Sequence, residues 1–287
     1  MLRTSFTIPS TPALMRLTYL SILTASLSLV LPTALFAQQS DRIFAPGFRE
    51  IDSAPGVTLF QKGRDYVHIV SPRRDAGVRL LYGTVSAGND ETQFARKDIR
   101  EWWKTWSQTE PQAFALMNSQ FFNASDPAKA ALAFSTKADG IVYEGYGDKR
   151  EFLGGKMLLR IGKKHTIVEP YNDNPRSLAR FPEPDIIVGL RADINKQASR
   201  RLGRTFIAGM PQGNLLIFTS PTATQRYAER ILVSFGADWG NTLMLDGGGS
   251  TQLVHKGTVL VPSHPPGKDI FLRSLPQVLG VVAGKKN

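Results

Sequence analysis

Short apolar runs of strand length, each closed by turn-forming residues, restrict the fold of this chain more than any other feature. From Val57 onward, stretches rich in Val, Ile and Leu alternate with Gly, Pro, Asn and Asp. Runs of about 4–8 such residues between turn formers are typical of β-strands. The clearest predicted strands are Tyr66–Val70, Val78–Val85, Lys156–Ile161, Thr205–Met210 and Asn214–Thr219.

Helical patterns are fewer. Thr92–Ser107 carries helix formers and three tryptophans, although its apolar spacing is imperfect. Thr222–Phe235 has apolar residues at helical spacing, threonines that can cap its start, and Gly236 directly after its end. Because strands dominate and do not alternate regularly with helices, we predict an α+β fold with a mixed, largely antiparallel sheet or sheets flanked by a few helices.

The N-terminal segment has the pattern of an export signal. Arg3 and Arg16 precede a nearly continuous apolar stretch that ends at Ala37, and no acid occurs before Asp41. A basic region, an apolar region and a small residue at the cut are typical of a cleaved secretory signal. We therefore expect a signal peptide over 1–37, a lead-in segment over 38–56 and a single domain over 57–287. The alternative is an uncleaved anchor helix.

This assignment predicts an exported protein, periplasmic or secreted, that meets the membrane only transiently through its signal peptide. The formal net charge of +11 favours anionic partners such as phosphorylated glycans. No run of five like charges occurs, so a nucleic-acid partner is not expected.

The absence of cysteine excludes disulfides, thiolate catalysis and iron–sulfur clusters. The four histidines show no metal-ligand spacing. We therefore expect no cofactor, with a divalent metal left open.

The strongest candidate site follows the last strand of a predicted strand–helix–strand unit, Asn214–Thr219, Thr222–Phe235 and Asn241–Leu245. That strand runs into Asp246 and three glycines, at the carboxyl end of a strand where α/β proteins place ligands. Glycines let the backbone take positive φ and approach a ligand closely, and successive N–H groups can bind an anion. We predict that Asp246 is catalytic and that the residues after it bind substrate or phosphate: Gly247, Gly248, Gly249, Ser250 and Thr251.

Three further positions are candidates. Asn118 follows an apolar run and precedes Phe121 and Phe122; its amide can bind sugar hydroxyls or phosphate oxygens, and we predict a catalytic role for it. Arg204 with Thr205, at the head of a strand, and Arg273 before Leu275-Pro276 suit phosphate contacts because a guanidinium can bind phosphate through two parallel bonds.

In order along the chain, these segments resemble the phosphodiester glycosidase family. The shared motifs are Asn118 to Phe122, Gly154-Gly155-Lys156-Met157-Leu158, Arg204 to Gly209, Leu245 to Ser250, and Arg273 with Pro276. The Leu-Asp-Gly-Gly-Gly-Ser element is the most specific of them. The sequence departs from the family at Ser119-Gln120, where the family often has two glycines, and at Lys156, where it often has proline.

The resemblance implies hydrolysis of a sugar-1-phosphodiester at the anomeric C–O bond, releasing free sugar and a phosphomonoester. Asp246 would then be nucleophile or base, with Glu144, Asp148, Asp185 and Asp193 available as a second carboxylate. Two alternatives remain at this point: a phosphodiesterase or phosphatase that cuts P–O, and a non-catalytic envelope protein that binds anionic, phosphorylated glycan.

Overall fold

The computed structural model describes residues 45, 47–88, 91–163, 165–263 and 272–285, so the expected signal peptide over 1–37 lies outside the described residues. It has two α-helices, α1 (Ile99–Thr109) and α2 (Gln225–Ser234). Its strands are β1 (Arg49–Ala54), β2 (Val57–Lys62), β3 (Asp65–Val70), β4 (Gly77–Tyr82), β5 (Val85–Ala87), β6 (Thr92–Ala95), β7 (Ala113–Asn118), β8 (Lys129–Ala130), β9 (Thr136–Ala138), β10 (Ile141–Tyr143), β11 (Lys156–Ile161), β12 (Thr166–Pro170), β13 (Asp185–Arg191), β14 (Leu202–Gly209), β15 (Leu215–Ala223), β16 (Thr242–Met244), β17 (Leu253–His255), β18 (Thr258–Val261) and β19 (Gln277–Val282).

The strands form three sheets. Sheet A has the order β1-β2-β3-β15-β14-β16-β13-β11-β12, with β9 paired to β13 and β10 paired to β9. Sheet B has the order β18-β17-β7-β19-β4, and the small sheet C has the order β5-β6-β8. Part of the segment expected as a lead-in already belongs to sheet A, because Arg49–Ala54 forms β1 and pairs with β2.

Within the described ranges every strand pairing is antiparallel. The expectation of a mixed sheet is therefore wrong. The expected strand–helix–strand unit is present as β15, α2 and β16. However, β14 lies between β15 and β16 and runs antiparallel to both, so the two parallel strands never pair with each other. The α+β expectation holds only broadly, since strands far outnumber helices.

Sheets A and B pack face to face, with a helix on each outer surface. Successive side chains of a strand point to opposite faces of its sheet, so the apolar residues divide between three cores. Ile207 of β14 and Met117 of β7 lie in the core between sheets A and B. Phe206 joins the core between sheet A and α2. Leu116 joins the core between sheet B and the tryptophans of α1.

The helix predictions are borne out in part. α2 begins after Thr224, whose hydroxyl accepts from the N–H of Tyr227, and it is followed by Gly236 at φ +89°. The expected helix over Thr92–Ser107 is wrong in its first part. There Thr92–Ala95 forms β6 in sheet C, and α1 begins only after Asp98, whose side chain accepts from the N–H of Arg100. No helix in the described ranges combines the length and apolarity needed to cross a bilayer.

Candidate functional site

Asp246 lies just after the carboxyl end of β16, at the junction between sheets A and B. The N–H of Leu245 donates to the carbonyl of Thr205 at 3.0 Å, which continues the ladder with β14 in sheet A. One residue later, the N–H of Asp246 donates to the carbonyl of Ser119 at 3.1 Å, directly after β7 of sheet B. The side chain of Asp246 is therefore held at a fixed point between the two sheets, partly exposed to solvent.

The glycines after Asp246 form a tight turn whose shape depends on glycine. Gly248 has φ +62°, a left-handed conformation that favours glycine. A Cβ at Gly247 would lie 2.7 Å from the carbonyl oxygen of Gly203, so the turn packs directly on β14. The N–H of Gly247 donates to the Asp246 carboxylate at 2.8 Å. Among the described residues, the N–H groups of Gly248 and Gly249 have no hydrogen-bond acceptor.

The Asp246 carboxyl has a perturbed acidity. Burial raises its pKa to about 6, although hydrogen bonds from Ser250 and the Gly247 N–H, and the charges of Arg273 and Lys196, act in the opposite direction. Burial disfavours the charged form, whereas donors and cations favour it. A carboxyl balanced in this way can exchange a proton near neutral pH, which is what acid–base chemistry needs.

Asn118, the last residue of β7, is fully buried and joins three segments of the site. Its amide nitrogen donates to the carbonyl of Asp246 at 2.7 Å. Its amide oxygen accepts from the Thr205 hydroxyl at 2.8 Å and from the N–H of Gln252 at 3.3 Å. Asn118 therefore fixes the backbone that carries the Asp246 carboxyl.

Arg273 lies against the glycine turn. Its guanidinium donates to the Ser250 hydroxyl at 3.3 Å, and one of its nitrogens would be 3.1 Å from a Cβ at Gly249. The Gln252 amide fixes its backbone by donating to its carbonyl at 2.8 Å. The Arg273 side chain is partly exposed and forms no ion pair with a described carboxylate.

Arg204 has a different environment from the one the sequence suggested. Its guanidinium is buried, with only 3% of the residue exposed, and it donates to backbone carbonyls of Ala223, Lys196, Gln197 and Arg200. Burial lowers its pKa, and no described carboxylate pairs with it. These bonds tie the loop between β13 and β14 to the sheet.

The predicted residues thus divide into two groups. Asp246, the three glycines and Arg273 reach the surface of the site. Thr205, Ser250 and Thr251 are buried with Asn118 and Arg204 and form its support.

Sequence reasoning missed two residues near Asp246. The ammonium of Lys196 lies 5.6 Å from the ring centroid of Phe121 and 5.0 Å from that of Phe152. The pKa of Tyr146 is raised, first by burial and then by nearby acids that include Glu151 and Asp246. No local pattern marks either residue, because Phe121 and Phe152 are far from Lys196 in the sequence, and Asp246 is far from Tyr146.

The four acids considered as a second carboxylate make their contacts elsewhere. Asp148 is buried and accepts from Ser135 and Gly145, whereas Asp185 accepts from the N–H of Asp139. Asp193 pairs with Arg191 and Glu144 with Lys149, both near the surface. The described part of the chain has no cluster of three or more His, Cys, Asp or Glu side chains that could hold a metal ion.

The sequence matches the family described as phosphodiester glycosidase (NAGPA) over residues 88–282. This span contains every predicted site residue, from Asn118 to Arg273. No curated protein matches the chain significantly.

Solved structures share the fold at low sequence identity. The catalytic domain of zebrafish N-acetylglucosamine-1-phosphodiester alpha-N-acetylglucosaminidase, auto-inhibited by its pro-peptide, is 15% identical with a TM-score of 0.54, and the match covers 83% of this chain and 82% of that one. A hypothetical protein from Synechocystis is 14% identical with a TM-score of 0.51, over 83% of this chain; the match spans only 64% of the Synechocystis chain. A protein from Burkholderia pseudomallei described as a "putative exported protein", 12% identical, has a TM-score of 0.47 over 80% of this chain and 76% of its own.

Proposed function

The chain belongs to the phosphodiester glycosidase family, and from this premise we propose that it is a hydrolase that cleaves the glycosidic C–O bond of a sugar-1-phosphodiester. The products are the free sugar and a phosphomonoester. The observation that carries this proposal is the Asp246 carboxyl, which lies beside a glycine turn with two free N–H groups and the guanidinium of Arg273. Burial raises the pKa of this carboxyl to about 6.

The chemistry divides between the carboxylate and the turn. The bond from the anomeric carbon to the phosphate oxygen breaks, and its electron pair leaves with the phosphate, whose last pKa of about 6 makes it a good leaving group. Arg273 and the N–H groups of Gly248 and Gly249 stabilise the departing negative charge. The ionised Asp246 stabilises the positive charge that develops on the sugar and accepts the proton of the attacking water.

Asn118, Thr205 and Arg204 act as positioning residues in this proposal. Each is buried, and each bonds to the backbone or side chains of the site rather than opening to solvent. The proposed substrate is a sugar-1-phosphodiester or a phosphorylated glycan, and the basic net charge of +11 favours such anions.

Product analysis tests the function. We expect an N-acetylglucosamine-1-phosphodiester, or another member of a panel of sugar-1-phosphodiesters, to yield free sugar and an intact phosphomonoester, with and without chelator. Asp246→Asn should nearly abolish turnover while the protein stays folded. Asp193→Asn, which alters an exposed acid paired with Arg191, is the matched control and should keep full activity.

Other outcomes of these experiments would contradict the proposal. Free inorganic phosphate would identify an enzyme that cuts P–O, and tight binding of the whole panel without turnover would identify a glycan-binding protein. High turnover in folded Asp246→Asn would remove Asp246 from the chemistry.

We also propose that the protein is exported, on the strength of the basic and apolar pattern over 1–37. Mass spectrometry of the protein from its native cells should find Gln38 at the mature N-terminus. An intact N-terminus in a soluble cytoplasmic fraction would contradict this.

A further inference from the structure

Lys196 has an environment that is unusual for a surface lysine. It lies in the loop between β13 and β14, half-buried, with its ammonium over the rings of Phe121 and Phe152 at 5.6 and 5.0 Å. Two aromatic faces attract a cation and restrict its side chain. Among the described residues, no carboxylate forms a direct ion pair with Lys196, although its charge acts on the Asp246 carboxyl.

The backbone of Lys196 is also held by hydrogen bonds. The buried guanidinium of Arg204 donates to the carbonyl of Lys196 at 3.0 Å and to that of Gln197 at 2.7 Å. The amide of Gln225 donates to the nearby carbonyl of Ile194 at 2.7 Å. A cation held at both its backbone and its side chain is preorganised, which lowers the entropic cost of binding an anion.

Phe121, whose ring contacts Lys196, comes two residues after Ser119, and the Ser119 carbonyl accepts from the N–H of Asp246 at 3.1 Å. The charges of Lys196 and Arg273 both act on the Asp246 carboxyl. Arg273 reaches the turn through Ser250 at 3.3 Å. Neither cation forms a direct ion pair with a described carboxylate, and the turn that follows Asp246 offers two free N–H groups. An unpaired cation near a free N–H pair suits a phosphate group.

We propose that Lys196 is a phosphate-binding residue of this site, acting together with Arg273, and that Arg204 is the positioning residue that holds Lys196 in place. The inference rests on the proposed function in taking the phosphate to be that of the substrate. The sequence suggested Arg204 as a phosphate ligand. The proposal assigns that phosphate contact to Lys196 instead, whose backbone Arg204 holds.

Binding of methyl phosphate, the simplest phosphomonoester, tests the assignment without any turnover. Lys196→Met keeps the aliphatic contact with both rings and removes the charge. We expect its dissociation constant for methyl phosphate, measured by calorimetric titration, to rise about 10- to 100-fold, because a charge-assisted hydrogen bond of about 1.5–3 kcal/mol is lost. Lys196→Arg should recover most of the affinity, and Lys104→Met, on the exposed side of α1, should leave it unchanged.

Arg204→Met tests the positioning role. We expect weaker methyl phosphate binding in this variant, and no further loss when Lys196→Met is added, because the two changes remove the same contact. Additive losses in the double variant would show that Arg204 acts independently of Lys196 and would overturn its positioning role.

The outcomes separate this inference from the proposed function. Wild-type affinity in folded Lys196→Met, or no binding of methyl phosphate to the wild-type protein, overturns the phosphate role of Lys196. A loss of binding in Lys196→Met together with no turnover of any sugar-1-phosphodiester keeps the phosphate site and rejects the glycosidase function.

Discussion

At the scale of single residues, opposing effects of similar size determine the acidity of Asp246. Burial raises its pKa, whereas the Ser250 hydroxyl, the Gly247 N–H and two nearby cations lower it. The balance leaves the carboxyl with a pKa of about 6. At that pKa, the loss of any one of these groups changes the fraction of Asp246 that is ionised near neutral pH. The ionised form is the one that the proposed reaction requires.

The rate should therefore depend on pH through Asp246. We expect kcat/KM to rise with pH and to level off above a pKa of about 6, because the protonated carboxyl neither accepts a proton nor stabilises positive charge. Removing the charge in Arg273→Met should move the rise in kcat/KM to higher pH, since Arg273 favours the ionised form of Asp246. A rate that falls above pH 6 would instead make Asp246 a general acid.

How much of the site could be predicted from sequence depends on where each residue's partners lie. Asp246 and its glycines form one contiguous motif, so they could be recognised without the fold. Asn118 could be located, but its role as a link between sheets depends on Thr205 and Gln252 from other strands. Lys196 could not be found, because the rings that hold it are supplied by two remote segments.

At the scale of elements, contact between α1 and sheet B depends on a glycine in β19. Gly280, in the middle of β19, faces the outer side of sheet B, and a Cβ there would lie 2.5 Å from Cη2 of Trp106. The indole of Trp106 therefore rests directly on the backbone of the strand. Packing at this density leaves no room for one further carbon atom.

Gly280→Ala should destabilise the protein, although alanine suits a strand better than glycine does. We expect a loss of about 1–3 kcal/mol in the free energy of unfolding, measured by urea denaturation, because the new methyl group displaces Trp106. Gly77→Ala in the neighbouring β4 is the matched control, since its Cβ meets nothing closer than 3.5 Å. Equal stability of the two variants would contradict this account.

The elements also show where sequence patterns succeed. Lys156–Ile161 was predicted with its observed ends, because it is a short run dominated by Met and Leu, and β11 pairs with a strand on each side. The expected helix over Thr92–Ser107 failed at its start, since Thr92–Ala95 pairs with β5 and β8 in sheet C. Such pairing is non-local, and the local composition of a segment does not reveal it.

At the scale of the whole molecule, the core between the sheets contains a histidine that the fold keeps neutral. His68 of β3 is fully buried, and neither of its ring nitrogens has a hydrogen-bond partner in the described residues. Burial lowers its pKa to about 3, and the charge of nearby His255 acts in the same direction. His255 itself is paired with Asp52 at 2.8 Å, and Asp52 is also bound to Lys256.

This histidine should make the protein sensitive to acid. Between pH 6.5 and about 3, unfolded His68 binds a proton that the folded state does not, so stability falls as the pH falls. We expect this residue alone to contribute a slope of up to about 1.4 kcal/mol per pH unit in that window. His68→Leu should flatten the pH dependence of the urea midpoint between pH 6.5 and 4.

The control for this prediction is His165, whose side chain is 55% exposed and contacts the buried Glu183. His165→Gln should keep the steep acid-side slope of the wild-type protein. An unchanged slope in His68→Leu would show that another group, such as His255 with Asp52, is responsible.

The link that Asn118 makes between sheets A and B also bears on how the proposed activity would be lost on heating. Its amide holds Asp246 and Thr205 on one side and Gln252 on the other, across the boundary that the hydrogen bond from the Asp246 N–H to the Ser119 carbonyl also crosses. A slip of about an ångström would separate these groups while every ladder within each sheet stayed intact. Inactivation would then come at a lower temperature than the loss of circular dichroism, and cooling from that intermediate range would restore turnover without refolding.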